Sequence, residues 1–310
     1  MLAAGLGTRL DPLTRLVAKP AMPLGSRSLI EHVLDWLVRQ GIRDVVVNLH
    51  HLPESITRIA GDGTHLGLRV RYSWEREVLG SAGGPRRALA LIEADPFVIV
   101  NGDTLCHADV RGLLDAHTRM GGDVTMAVVP NHAPERYNGI RAAADGSVAG
   151  FVPKGQAEGT WHFIGVQVTA KRVFAPLAEG TPAETVAGVY REIIRATPGR
   201  IRVWPAETSF LDVGTPADYL EACLALAAAG TPPRRTGRAL TATVDRARRT
   251  VVWSTAAVPG SARLENTIVA GAVTLPEDFV ATNAIIVPAS LARPDDAADI
   301  REGLAVFPLR

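Results

Sequence analysis

Cysteine is scarce: Cys106 and Cys223 are the only two in 310 residues. They share neither a C-x-x-C pattern nor a metal-ligand spacing, so a disulfide framework and a thiolate metal site are both excluded. Two free thiols in a reducing compartment are expected. Charge of one sign is lacking too: 33 Lys and Arg against 32 Asp and Glu leave a net charge of +1. Nonspecific nucleic-acid binding needs a basic excess and is excluded; any anion site must be local. The longest apolar run, residues 222–229, is far too short to span a bilayer, and no signal peptide is visible. No membrane partner is expected, and the location expected is cytoplasmic.

Two familiar phosphate loops are also missing. No G-x-x-x-x-G-K-[ST] occurs, and the third glycine of a dinucleotide fingerprint is replaced by Leu10 after Gly5 and Gly7. What stands there instead is Leu2-Ala3-Ala4-Gly5-Leu6-Gly7-Thr8-Arg9-Leu10, then Pro12-Leu13-Thr14 and Lys19-Pro20. Glycines let backbone N–H groups approach a ligand closely, and successive N–H groups in a turn make a concavity for anions. Arg9 and Lys19 add positive charge, which points to a polyphosphate.

Around this string the chain alternates helical and extended segments. Ser28 and Glu31 form a capping box ahead of apolar residues at helical spacing, closed by Gly41. Strands are predicted at 45–49, 68–73, 97–100, 124–129, 148–152, 163–169 and 201–204, with helices at 53–60, 85–92, 110–120, 183–195 and from 215 to Gly230. The pattern predicts an α/β fold, a Rossmann-like layered and mostly parallel sheet, with ligands beyond the carboxyl ends of the strands. Residues 1–4 make a short strand. Residues 231–249, with Pro232-Pro233 and six arginines, read as a linker. Beyond it Val252, Val258 and Leu264 fall six apart, and apolar pairs at 268–269, 273/275 and 285–286 continue less strictly, a periodicity that marks a parallel β-helix. The domain organisation expected is 1–229, a linker at 230–249, and a tail at 250–310.

The full glycine-rich string resembles the nucleotide-binding loop of the sugar-phosphate nucleotidyltransferases, the NDP-sugar pyrophosphorylases. Relatives usually carry a few residues before it, so either the start has been trimmed or it lies upstream. Five further places match. Leu79-Gly80-Ser81-Ala82-Gly83-Gly84, set just before a helix, offers small residues and exposed N–H groups and resembles the segment that holds the nucleoside. Asp103 in Asn101-Gly102-Asp103 and Asp212 in Phe210-Leu211-Asp212-Val213-Gly214-Thr215-Pro216 correspond to the two carboxylates that hold Mg²⁺. Lys154 corresponds to the lysine that grips the sugar phosphate, although Pro153 replaces the acidic residue usual before it. Gly139 and Gly165 align with glycines of the sugar pocket. His50, His51 and His107 show no metal or general-base spacing and read as structural. The tail resembles the left-handed β-helix of some members and packs on the main domain or on a second subunit of a homo-oligomer.

The resemblance implies transfer of a nucleotidyl group from a nucleoside triphosphate to a sugar 1-phosphate, an EC 2.7.7-type reaction. Arg9, Lys19, Asp103 and Asp212 would be catalytic, with Mg²⁺ as cofactor. Leu2, Ala3, Ala4, Gly5, Gly7, Thr8, Gly80, Ser81, Ala82 and Gly83 would bind the nucleotide, and Gly139, Lys154 and Gly165 the sugar phosphate. Glu75 and the 79–83 string look most like guanylyltransferases for mannose or heptose 1-phosphate. Residues 42–49 and 61–72 also look like uridylyltransferases for N-acetylmuramate 1-phosphate, with glucose 1-phosphate a further uridylyl acceptor. A cytidylyltransferase of a phosphorylated alcohol, and a silent homologue that senses nucleotide sugars, are the rival readings.

Overall fold

The computed structural model describes residues 1–230 and 239–309. Residues 231–238 of the expected linker, with three of its arginines, lie outside the described residues. The first helix, α1 (Leu29–Arg39), starts as expected: the Ser28 N–H and hydroxyl both donate to Glu31 Oε2 at 2.8 Å. The remaining helices are α2 (Pro53–Ala60), α3 (Gly80–Ala88), α4 (Val110–Met120), α5 (Tyr190–Ala196) and α6 (Pro216–Ala228).

The chain divides into two compact units. One comprises residues 1–5, 36–50 and 62–210; the other comprises 6–35, 51–61 and 211–310. The first holds strands β1 (Asp44–Leu49), β2 (Arg69–Trp74), β3 (Phe97–Val100), β4 (Val124–Pro130), β5 (Gly139–Ala142), β6 (Val148–Val152), β7 (Trp161–Thr169) and β8 (Ile201–Pro205). β1 and β2 pair in parallel, as do β4 and β8. Residues 1–2 lie between β1 and β3: the Met1 amine donates to Val46 O at 2.8 Å, and the Leu2 N–H to Val100 O at 2.8 Å. The sheet is mixed rather than mostly parallel, because β7 runs antiparallel to β3, β4 and β5. The cause lies in the connections. Parallel neighbours need a long crossover, usually a helix, whereas β5, β6 and β7 follow one another with no helix between them. The core beneath this sheet includes Ile99, Met126, Val128, Phe174 and Tyr190.

Beside Met1 runs a mainly apolar cavity of about 410 Å³, lined by Val46, Pro85, Ile92, Phe97 and Val98 among others.

In the second unit, β9 (Ala242–Asp245), β10 (Thr250–Trp253), β11 (Arg263–Val269), β12 (Val280–Pro288), β13 (Asp299–Arg301) and β14 (Leu304–Pro308) form one sheet. The stretch read as linker thus contains a strand, β9, which turns back onto β10. β10, β11 and β12 stack in parallel, Thr250 against Thr267 and Thr267 against Ala284. Each partner therefore lies seventeen residues further on, which is why a strict six-residue spacing drifts after Leu264. The corners repeat with the strands. Arg249, Asn266 and Asn283 all take positive φ (51°, 47° and 53°), and Asn266 Nδ2 donates to Asn283 Oδ1 at 2.6 Å. Leu264 is buried in the core of this region, with Val252 and Val258 packed against it. α6 is tied to β10 by Trp253 Nε1, which donates to the Tyr219 hydroxyl at 2.9 Å, and Tyr219 in turn donates to Pro23 O.

Candidate active site

The glycine-rich string begins in the first unit. Ala3 and Ala4 are buried, and the Ala3 N–H donates to Asn48 Oδ1 at 2.6 Å. Asn48 Nδ2 then donates to Glu75 Oε1 at 2.6 Å, while Glu75 Oε2 accepts the Leu79 N–H at 2.9 Å. Both side chains are buried, Asn48 at 5 % and Glu75 at 6 % exposure. A buried carboxylate without partners would be costly; here both oxygens are used. This relay ties residue 3 to the start of α3. Sequence reading took Glu75 only as a family marker and passed over Asn48, whose signal is a lone amide ending the apolar run of β1.

Asp103 stands just past the carboxyl end of β3, beside the same string. The Gly102 N–H donates to Leu2 O at 2.8 Å, and a Cβ on Gly102 would meet that oxygen at 2.7 Å. The Thr104 hydroxyl donates to Asp103 Oδ1 at 3.2 Å. Gly165 adjoins this turn: its carbonyl accepts the Asn101 N–H at 2.8 Å, and its φ of +77° sits where the register of β7 against β4 shifts. A Cβ there would press on Asn101 at 3.0 Å in a conformation that L side chains rarely adopt. The first unit therefore gathers Leu2, Ala3, Asp103 and Gly165. Gly139 is closely packed, since a Cβ there would meet the Thr160 hydroxyl. Lys154 is exposed, with its N–H donating to Asn138 Oδ1 at 3.0 Å.

The segment 79–84 differs from expectation. It lies inside α3 rather than before it, and Pro85 falls within the helix. Its N–H groups are occupied: those of Ala82 and Gly83 donate to Ala183 O at 2.9 and 3.1 Å, and that of Ser81 to Glu184 Oε2 at 3.3 Å. The Ser81 hydroxyl donates to Glu184 and accepts the Thr185 N–H at 2.8 Å. Added Cβ atoms would lie 2.4 Å from Glu184 Oε1 at Gly80 and 2.6 Å from Thr181 O at Gly83. These glycines admit residues 181–184, a contact between segments a hundred residues apart that local pattern does not signal.

The second unit holds the cationic part. Gly7 has φ +65°, and residues 8–10 and 19–21 form single 3₁₀ turns. A Cβ on Gly7 would fall 2.8 Å from Thr14 Cγ2 and 3.4 Å from Lys19 Cβ, so the chain folds back on itself closely there. Lys19 is buried to 8 % exposure, while Thr8 and Arg9 are exposed. Gly214 brings the distant string in: a Cβ there would lie 3.2 Å from Asp212 Oδ2 and 3.3 Å from Arg9 Nη1. Thr215 caps α6, its hydroxyl accepting the Asp218 N–H at 3.2 Å while Asp218 Oδ2 accepts the Thr215 N–H at 3.0 Å. That cap fixes the residues immediately after Asp212. Arg9 and Asp212 thus share one neighbourhood, and Lys19 stands behind Gly7.

The histidines are structural in geometry. His51 Nε2 lies 2.8 Å from Thr14 O and His50 Nδ1 3.1 Å from Glu75 O, each ring held to a backbone carbonyl.

The class of protein is given by the comparisons with known proteins. The profile of the nucleotidyl transferase family matches residues 1–229, and the chain belongs to that family. It is 28 % identical over 221 residues to a mannose-1-phosphate guanylyltransferase of Mycobacterium tuberculosis, covering 71 % of this chain and 62 % of that one. It is 30 % identical over 225 residues to the D-glycero-alpha-D-manno-heptose 1-phosphate guanylyltransferase of Aneurinibacillus thermoaerophilus, covering 72 % of this chain and 95 % of that one. The chain therefore spans about three fifths of the first relative and nearly all of the second. The crystal structure of HddC from Yersinia pseudotuberculosis shares the fold, with a TM-score of 0.63 at 23 % identity over 72 % of this chain and 96 % of that one. No helix among the described residues is long and apolar enough to cross a membrane.

Proposed function

We propose that this chain transfers a guanylyl group from GTP to mannose 1-phosphate or a heptose 1-phosphate, giving the GDP-sugar and pyrophosphate. The observation that supports the reading is Lys19 behind Gly7 and Asp212 beside Arg9 across Gly214, with Asp103 next to the start of the same string in the first unit. The names of the two relatives support guanylyl transfer to these acceptors.

The acceptor phosphate has a second pKa of about 6 and is largely dianionic at neutral pH, so no general base is needed. One of its oxygens attacks the α-phosphorus. The new P–O bond forms as the bond from the α-phosphorus to the bridging oxygen breaks, and pyrophosphate leaves with that electron pair. Catalysis then rests on alignment and on relief of anion–anion repulsion. Arg9 stabilises charge on the departing pyrophosphate, and Lys19 neutralises the α-phosphate and the incoming group. Lys154 holds the sugar phosphate, and the Gly165 turn and Gly139 border the sugar.

Asp103 and Asp212 offer oxygen donors only, the chemistry Mg²⁺ takes, and would be its protein ligands. When bound, that ion supplies positive charge to the α-phosphate and the acceptor. The turn at residues 2–5, Gly7 and Thr8 line the triphosphate. Gly80, Ser81, Ala82 and Gly83 form the wall behind the nucleoside through their small size, since the N–H groups of residues 81–83 are engaged elsewhere. The three stacked strands of the tail fit a short left-handed β-helix. Mg²⁺, the left-handed tail, homo-oligomer formation and a cytoplasmic location are parts of this proposal.

Pyrophosphate release measured over four nucleoside triphosphates and a dozen sugar 1-phosphates tests the reading. GTP with mannose or heptose 1-phosphate should give the highest kcat/KM. Preference for another nucleotide would move the assignment within the family, and release with none would remove it.

A further inference from the structure

The functional reading makes no use of Arg15, whose guanidinium is bonded on every side. Its five N–H donors, the full complement of a guanidinium, all have acceptors. Nε reaches Asp11 Oδ2 at 3.3 Å, and Nη2 reaches that same oxygen at 3.1 Å and Asp296 Oδ1 at 2.9 Å. Nη1 reaches Leu291 O at 2.8 Å and Asp296 Oδ2. The side chain is 10 % exposed, and its guanidinium carbon lies 5.7 Å from the centre of the Phe307 ring. Asp296 is itself held by the Arg293 N–H at 2.7 Å, and Arg293 Nη1 lies 3.5 Å from Asp11. The hydrogen bond from Arg15 holds the Asp296 carboxyl down at about 2.

On one side these bonds end in the tail, at Leu291, Asp296 and Phe307. On the other they lead into the glycine turn. Asp11 Oδ1 lies 3.0 Å from the Thr14 hydroxyl, which is also 3.1 Å from Gly7 O and shares its one proton between the two acceptors. The Thr14 methyl is the atom nearest to the place a Cβ on Gly7 would take, and Lys19 Cβ is next. A second contact runs alongside, with Leu16 Cδ2 only 3.0 Å from a Cβ built on Gly271. All of these residues belong to the second unit.

We infer that the C-terminal tail positions the triphosphate-binding turn, with Arg15 as the positioning residue that passes the constraint through Asp11 and Thr14 to Gly7 and Lys19. The turn is made of single 3₁₀ turns with few bonds of their own, so it needs an outside support to hold its backbone in one geometry. An arginine suits the task because its rigid planar fork holds two carboxylates in one fixed geometry, which the rotatable ammonium of a lysine does not impose. The inference rests on the turn binding a triphosphate, as proposed above.

The test compares the full chain with Asp296→Ala, Asp296→Asn, Asp296→Glu and Arg15→Lys. Leu264→Ala serves as a variant that weakens the tail core without touching this bond set. GTP binding in the presence of Mg²⁺ is measured by calorimetry, amide exchange over residues 7–16 by mass spectrometry, and Tm for each. Asp296→Ala, Asp296→Asn and Arg15→Lys should weaken GTP binding by about ten-fold or more, as misplaced binding groups do, and speed exchange over residues 7–16. Asp296→Glu should restore affinity towards that of the parent. Leu264→Ala should lower Tm while leaving GTP affinity within about two-fold of the parent. Unchanged affinity in folded Asp296→Asn, or an equal loss in Leu264→Ala, overturns the inference alone. A parent chain that binds no triphosphate at all overturns the functional reading, and this inference with it.

Discussion

Two glycine-rich segments of this chain look alike on paper and do opposite work. At Gly5 no atom lies within 4 Å of where a Cβ would stand, whereas at Gly83 and Gly84 a Cβ would fall 2.6 Å from Thr181 O and 2.7 Å from Asn48 Nδ2. The first segment keeps its backbone open; the second spends its missing side chains on protein packed against protein. The N–H groups follow the same division, since those at 81–83 are consumed by residues 183–184. Glycine content therefore locates a close approach without saying what approaches. Only the partner atoms distinguish a ligand cradle from a packing seam.

The largest effect that would break this comparison concerns the open segment's charged partners. Asp212→Asn and Arg9→Gln should each lower kcat for pyrophosphate release by about 10²–10³, as loss of a transition-state contact does, with Tm unchanged. A loss confined to KM would place both residues in ground-state binding instead.

The packed segment supplies the next test. Gly84→Ala drives a methyl group into the buried Asn48–Glu75 hydrogen bond and should cost about 1–3 kcal/mol of unfolding free energy, read by denaturant titration. The smallest effect is expected at Gly5. Gly5→Ala should leave stability within about 0.5 kcal/mol while reducing GTP affinity, because its methyl group enters the space where the triphosphate would lie. Equal destabilisation by Gly5→Ala and Gly84→Ala would erase the distinction between the two segments.

The sequence carried the α1 cap and most strands of the first unit, because capping boxes and apolar runs are local signals. It missed the antiparallel course of β7, since strand direction depends on what connects the strands rather than on their composition. It placed the start of α3 at Pro85, the residue usual in a first turn, although residues 181–185 hold the helix from Gly80 onwards. Among the site residues, Asp103 and Asp212 stood out through the motifs around them. Asn48, Thr14 and Arg15 did not, because their work is done on other protein groups: a lone amide, a hydroxyl and one arginine among many carry no motif. Their meaning is set by which acceptors lie within 3 Å or so of them, and that is a property of tertiary packing.

The central proposal is that Asp103 and Asp212 are both ligands of the divalent ion that accompanies the triphosphate. Manganese binding followed by electron paramagnetic resonance, in the presence of a non-hydrolysable GTP analogue, addresses it directly. The account predicts one tightly bound ion per chain, lost equally in Asp103→Asn and in Asp212→Asn. Unchanged manganese affinity in either variant would contradict it.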